Sequence, residues 1–219
     1  MTAGAIFLII FSYILGSTPY GYLIAKFWHG IDIQEIGSKS IGATNVARAT
    51  GIINGFITLL LDMLKGAIPV IMALYVFESD LVVVLALNAA IIGHIFPVFT
   101  KFKVGGKGVS TLLGGLLAGL MPIKIFLIIG IIWVIVLIAS KRKMSLSNLV
   151  FITILLITLF FLHKSWQVLG FSIVTTGLIW WSHRENIKRL REGEESSLEV
   201  DTEKIKEFFR KIKIFLKKK

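Results

Sequence analysis

The chain has 219 residues, of which 55% are hydrophobic and 17% charged, with a mean hydropathy of +0.82 and a formal net charge of +11. A soluble domain carries roughly a quarter charged residues, so this composition excludes a water-soluble globule and fits a polytopic membrane protein. The absence of cysteine excludes disulfides, thiol nucleophiles and thiolate metal sites, and the basic residues gather in loops and tail, which favours anionic lipid or anionic substrate over nucleic acid.

Apolar segments fall at 4–25, 51–77, 81–99, 109–120, 125–139, 149–162 and 166–181. Each is expected to be helical, because hydrocarbon leaves backbone groups no outside partner, and the runs lack the dyad alternation of barrel strands. The first lacks a basic leader and is too long for a signal-peptide core of ~7–15 residues, so it reads as a retained span. The stretch between Gly108 and Lys141 is short for two crossings. A hairpin is nevertheless expected there, since a single crossing would put Lys101, Lys103 and Lys107 opposite Lys141, Arg142 and Lys143, against the positive-inside rule. The reading is all-α, with about seven membrane helices. All Lys and Arg except Lys65, Lys124 and Lys164 then fall on one face, which sets the N-terminus out and the C-terminus in.

Four polar stretches interrupt these spans on the basic side. The first, Gly37-Ser38-Lys39-Ser40-Ile41-Gly42-Ala43-Thr44-Asn45-Val46-Ala47-Arg48, combines glycines, hydroxyls and two cations, a composition that suits a phosphate cradle and equally an ordinary mobile loop. In the second, Gly105-Gly106-Lys107-Gly108-Val109-Ser110-Thr111, glycines flank a lysine just before a helix, so the lysine can approach an anion or simply anchor a turn at the headgroups. It is not a Walker A loop, because Gly108 follows Lys107 where Ser or Thr is required. The third, Lys141-Arg142-Lys143-Met144-Ser145-Leu146-Ser147-Asn148, offers Ser145 and Ser147 as helix caps or as ligands at the headgroup level. In the fourth, His183 and Asn186 stand three residues apart and can face one site.

Within the second span Asp62 and Lys65 share a helix face and are expected to pair, since a lone charge at that depth costs ~2.5–3.5 kcal/mol. His94, in Gly93-His94-Ile95-Phe96-Pro97, reads as a structural hydrogen-bonding residue at a broken helix end. Residues 199–219 carry Ile205, Phe208, Phe209, Ile212 and Phe215 at helical spacing among lysines. They suit a basic amphipathic helix on the inner leaflet, with Thr202 as cap.

In this order and spacing the motifs resemble the bacterial acyl-phosphate-dependent glycerol-3-phosphate acyltransferases over residues 4–195: Gly37-Ser38 with Gly42-Ala43-Thr44-Asn45 and Arg48, Asp62 with Lys65-Gly66, Gly93-His94-Ile95-Phe96-Pro97 through Gly105-Gly106-Lys107-Gly108-Val109, and His183-Arg184-Glu185-Asn186-Ile187. The resemblance implies seven membrane helices with a site built from cytoplasmic loops. It implies transfer of an acyl group from acyl phosphate to the 1-hydroxyl of sn-glycerol 3-phosphate, giving lysophosphatidic acid and phosphate in phospholipid synthesis at the inner membrane. The acyl phosphate would be handed over by a separate peripheral enzyme.

Residues 1–195 would form the membrane-embedded acyltransferase domain and 196–219 the surface helix. Ser38, Lys107, His183 and Asn186 are the catalytic candidates. Gly37, Ser38, Thr44, Asn45, Arg48, Gly105, Gly106, Lys107, Gly108, Ser145 and Ser147 are candidates for substrate phosphate, and Asp62, Lys65 and His94 are secondary. No metal or cofactor is expected, because an acyl phosphate carries its own leaving group and its phosphate can accept the hydroxyl proton. One departure stands out: Lys39-Ser40 replaces the family's usual Gly-Asn, adding a charge and removing backbone freedom. The soluble-type acyltransferase signature is missing, since none of His29, His94, His163 and His183 has aspartate five positions later. The rivals are a transporter or exchanger of phosphate-containing anions, for which an intramembrane charge pair would also serve, and a lipid-binding scaffold recruited by its basic tail.

Overall fold

The structure, a computed structural model, describes residues 1–101 and 105–197. The amphipathic helix expected at 199–219 and Lys103 therefore lie outside the described residues. Every regular element among those described is helical: α1 Ala3–Gly16, α2 Tyr20–His29, α3 Ala43–Thr50, α4 Ile52–Phe77, α5 Asp80–Ile95 with a 3-10 turn at Val98–Thr100, α6 Val109–Gly115 running into a π turn at Leu116–Leu120, α7 Ile123–Ala139, α8 Met144–His163, α9 Trp166–Ser182 and α10 Arg184–Glu192.

Four of these stretches are long and apolar enough to cross a membrane, namely Ala3–His29, Ile52–Phe77, Asp80–Thr100 and Met144–His163, while Val109–Leu120 and Ile123–Ala139 are shorter. α5 is buried on most sides, through Val82, Val83, Val84, Ala86, Leu87, Ala90 and Ile91, and so forms the axis of the bundle. α7 is the opposite: Ile128, Ile131, Ile135 and Ile138 are all exposed and Ile129 alone is buried. An apolar helix exposed on most sides belongs against lipid. Where α4 crosses α6, a Cβ on Gly66 would lie 1.8 Å from the Thr111 carbonyl oxygen and one on Gly114 1.9 Å from that of Met63. Glycine at both positions lets the two backbones touch, the small-residue packing of membrane helices.

The first apolar run is not one helix. It breaks between α1 and α2, because Pro19 lacks an N–H and disfavours helical geometry in the residue before it. The freed carbonyls of Gly16 and Thr18 accept hydrogen bonds from the Lys65 ammonium at 3.2 and 2.7 Å. That ammonium also pairs with Asp62 Oδ1 at 2.8 Å and donates to His94 Nδ1 at 3.2 Å. All three side chains are buried. The Asp62–Lys65 pair thus ties α4 to the α1–α2 break and to the end of α5.

Asp62→Leu would leave that ammonium without its counter-charge, a loss of about 3–5 kcal/mol for a broken buried pair. A thermal-unfolding midpoint in detergent well below wild type is the expected result. Asp62→Leu combined with Lys65→Met removes both charges and is expected to recover much of the loss. A double variant no more stable than the single one would show that the two charges are not coupled.

Candidate active site

Asn45 builds the first loop. Its amide nitrogen donates to the carbonyls of Ile36 and Ser40, both at 2.9 Å, and of Ile33 at 3.3 Å, while its Oδ1 accepts from the Ser38 amide at 3.1 Å. The side chain is buried and fully engaged. Asn45 borders the cavity, and these hydrogen bonds make its side chain the frame of the loop that presents Ser38. Gly37 takes φ +58°, and a Cβ there would meet Asn45 Oδ1 at 2.5 Å, so its role is conformational too. Lys39, at the position of the family departure, also adopts the left-handed region at φ 58°, where side chains other than glycine are disfavoured.

The second loop is clamped on the first and on the end of α5. Ser40 Oγ donates to the Gly105 carbonyl at 3.4 Å, the Gly106 amide to the His94 carbonyl at 2.9 Å, and Ser182 Oγ to the Lys107 carbonyl at 3.2 Å. Gly105 and Gly106 have no room for a Cβ, which would come within 1.9 Å of the Ile95 oxygen and 1.8 Å of His94 Nε2 respectively. Gly108, in the left-handed region, precedes α6. These three glycines set the backbone and stand off the cavity wall; Lys107 is the residue they deliver to it.

The cavity has a volume of about 1450 Å³. Each of the four polar stretches reaches its wall: Ser38, Thr44 and Arg48 from the first, Lys107 from the second, Ser145 from the third and Asn186 from the fourth, with His94 beside them. Phe56 and Leu59 of α4, Leu113 of α6, Phe126 and Trp133 of α7 and Phe151 of α8 supply an apolar lining deeper along the helices. Trp133 is fixed by donation to Asn148 Oδ1 at 2.9 Å.

Of the two serines that begin α8, Ser145 lines the cavity and Ser147 does not; Ser147 Oγ turns back to the Lys143 carbonyl at 3.3 Å. The structure thus places Ser147, the other phosphate candidate of this stretch, off the wall. Asp62 and Lys65 likewise stand off the wall. His183, fully buried at the junction of α9 and α10, is not part of the wall either. Its Nδ1 lies 2.8 Å from the Ile179 carbonyl, which can only accept, so Nδ1 carries the proton and Nε2 is an acceptor. That Nε2 is buried without a partner among the described residues.

Burial, followed by the nearby Lys107 charge, lowers the His183 pKa to about 4, so the imidazole is neutral at physiological pH. Lys107 is lowered to about 8, by burial first; Glu195 acts against the shift, and the Arg189 and Arg48 charges add to it. Arg48 Nε is a buried donor with no partner among the described residues. Two cations held partly out of water, one with an orphan donor, make a site suited to an anion.

Glu195 escaped sequence reasoning. It is buried, with Ser145 Oγ donating to its Oε1, Asn186 Nδ2 donating to the same atom at 2.7 Å and Arg189 Nε to its Oε2 at 2.8 Å. Gly193, at φ 78°, ends α10 and turns the chain back so that the amides of Glu194 and Glu195 both donate to the Arg189 carbonyl. Nothing in Glu192, Glu194 and Glu195 as letters separates the buried acid from its exposed neighbours; the glycine before the pair is the one available signal. Arg48 donates to the carbonyls of Ser196 at 3.1 Å and Ser197 at 3.5 Å, so the segment expected to be separate from residue 196 onward begins docked on the site. Ser110 is a further wall residue that the motif reading left unassigned.

A family model described as glycerol-3-phosphate acyltransferase matches residues 6–193. A glycerol-3-phosphate acyltransferase of Lawsonia intracellularis is 43% identical over 188 residues, covering 85% of this chain and 92% of that protein. That of Aquifex aeolicus is 40% identical over 192 residues, covering 87% and 97%. The crystal structure of PlsY, an integral membrane glycerol 3-phosphate acyltransferase, in its glycerol 3-phosphate form aligns with a TM-score of 0.83 at 38% identity, over 90% of this chain and 96% of that one. Its lysophosphatidic acid form aligns at 0.80 and 39% identity, over 89% and 95%. With a family model matched over most of the chain and relatives about 40% identical over nearly their whole length, the protein belongs to the glycerol-3-phosphate acyltransferase family.

Proposed function

We propose that this protein is a membrane-embedded acyltransferase that moves a fatty acyl group from acyl phosphate to the 1-hydroxyl of sn-glycerol 3-phosphate, forming lysophosphatidic acid and inorganic phosphate. The observation that carries the reading is the meeting of Lys107 and Arg48, with its orphan Nε, on a cavity whose deeper wall is aromatic and aliphatic. Charged headgroups suit the first part and an acyl chain the second. The glycerol 3-phosphate and lysophosphatidic acid forms of the similar PlsY structures support the acceptor and the product.

In this reading Lys107, Arg48, Ser38, Thr44 and the first amides of α3 hold phosphate oxygens. Two anions that repel in water are thereby aligned, so proximity and charge stabilisation do most of the work. The acceptor hydroxyl oxygen bonds to the acyl carbonyl carbon, the bond from that carbon to the phosphate oxygen breaks, and the departing phosphate takes the hydroxyl proton. Neutral His183 is a positioning residue in this scheme, since it stands behind the cavity wall rather than on it. The basic loops face the cytoplasm, with about seven crossings of the bacterial inner membrane, N-terminus out and C-terminus in. The donor arrives from a peripheral acyl-phosphate-forming enzyme.

An anion transporter would place its intramembrane charges along the passage. Asp62 and Lys65 instead satisfy each other and the α1–α2 break, off the cavity wall. Purified protein in detergent, given acyl phosphate and glycerol 3-phosphate, is expected to release phosphate and form lysophosphatidic acid without sealed vesicles, and to do so far faster than with acyl-CoA. No turnover in detergent, with glycerol 3-phosphate uptake after reconstitution into vesicles, would replace the enzyme by the transporter.

A further inference from the structure

Resting on that reading, we infer that Gly130 selects for acyl-chain length: the side chain it lacks leaves a notch in the cavity wall along which a long acyl chain runs out toward lipid. The starting point is an oddity of α7. A glycine inside a helix is less stable than alanine, and this helix is otherwise rich in isoleucine. Where α4 crosses α6, close approach explains Gly66 and Gly114, since a Cβ on either would strike a neighbouring carbonyl. At Gly130 a Cβ would meet nothing within 4 Å, and φ is not positive. Gly170 and Gly177 of α9 are equally unobstructed, but neither borders the cavity, whereas Gly130 does. Neither packing nor a turn accounts for this glycine; room for a ligand does.

The surroundings identify the part of the ligand. Phe126, Gly130 and Trp133 recur at i, i+4 and i+7 and so lie on one face of α7, and all three border the cavity. Trp133 is held at the polar end by Asn148. Phe126 meets Phe151 edge to face, with ring centroids 6.0 Å apart, and this pair closes the seam between α7 and α8. A chain descending from the headgroup site is therefore turned away from α8, toward Phe56 and Leu59 of α4. Although α4 and α7 share the cavity, each packs chiefly on other helices, α4 on α5 and α6 and α7 on α8. The gap between them faces lipid, where Phe56, Ile131 and Val134 are exposed, and Gly130 is the low point of its α7 side. Three residues along α8 from Ser145 to Asn148, and three along α7 from Trp133 to Gly130, put the notch roughly 9 Å below Ser145. That is about the length of an extended octanoyl chain, so a chain of that size ends at the notch and a longer one must pass it.

Leucine is a better helix former than glycine and has open space to enter, so Gly130→Leu is expected to keep the wild-type thermal midpoint in detergent. It fills the notch. Each variant is compared with wild type on palmitoyl phosphate and on octanoyl phosphate, so that partitioning of the donors into detergent cancels. Gly130→Leu is expected to lose at least about tenfold in kcat/KM with palmitoyl phosphate, the worth of some two methylenes kept from the wall. With octanoyl phosphate it is expected to stay within about threefold, and KM for glycerol 3-phosphate should be unchanged with either donor. Gly130→Ala is expected to show a smaller loss of the same kind. Gly170→Leu, the same exchange away from the cavity, should leave both donors as in wild type.

Equal losses with both donors would make Gly130 a structural residue and overturn the assignment. So would undiminished use of palmitoyl phosphate by Gly130→Leu, or the same chain-length discrimination in Gly170→Leu. Failure of the underlying acyltransferase reading shows separately, as wild-type protein that turns over neither acyl phosphate.

Discussion

Lys107→Ala is expected to reduce kcat/KM for acyl transfer by about 10³-fold while the protein keeps its detergent thermal stability. Removing one preorganised donor from a charge-stabilised site costs about 10²–10³ in rate, and in the proposed reaction the donor is also a full charge facing two anionic reactants. The wild-type pH profile should report the same group. Burial, with Arg189 and Arg48 near, has brought the Lys107 pKa down to about 8, and the form that binds phosphate is the protonated one. kcat/KM is therefore expected to hold below pH 8 and to fall as pH rises through it. Bound phosphate favours the ammonium, so the corresponding limb in kcat lies at higher pH. Arginine at this position does not deprotonate in the accessible range, and the activity that Lys107→Arg retains should lack the limb. A flat profile between pH 7 and 10 in the wild type, or near-normal turnover in Lys107→Ala, would remove Lys107 from the site.

The second large effect is steric. A methyl group on Gly106 would sit 1.8 Å from His94 Nε2 and 2.6 Å from its Cδ2. The imidazole cannot swing away freely, because its Nδ1 accepts from Lys65 inside a buried cluster. The loop must move instead, and the next residue along it is Lys107. A displacement of about 1 Å in a positioned group can cost about 10²-fold, so Gly106→Ala is expected to lose at least that much in kcat/KM with lipid-facing helices unchanged. Gly106→Ala combined with His94→Ala opens the space and is expected to be more active than Gly106→Ala alone. A double variant no better than the single one would mean that the clash is not the cause.

Much of this architecture can be read from residue order, and the exceptions have identifiable physics. Hydropathy marks where the helices lie, since lipid-facing surface imposes long apolar runs; it does not mark the interruption at Pro19, because membrane helices tolerate proline and the run stays apolar across it. The charge pattern brings Ser38, Arg48, Lys107, Ser145 and Asn186 to one face, and the structure seats all five on one cavity. Finer assignments depend on side-chain direction within a turn. Ser145 and Ser147 are equivalent as letters at the start of α8, and only the packed helix distinguishes the one on the wall from the one bonded back to Lys143. Asn45 looks like a ligand because a loop amide and a substrate amide use the same chemistry; its partners are carbonyls 5 to 12 residues away. Glu195 was hidden because its burial is created by long-range contacts to Ser145, 50 positions earlier.

The Asp62–Lys65 pair has a consequence for how the chain enters the bilayer during synthesis. Because its members are three residues apart on one helix, each neutralises the other within α4 itself, without help from the helices made before it. α4 can therefore leave the translocation machinery as an electrically silent segment, avoiding the ~2.5–3.5 kcal/mol that either ion would cost alone. The carbonyls at the α1–α2 break, already made when α4 emerges, then complete the cradle of the ammonium.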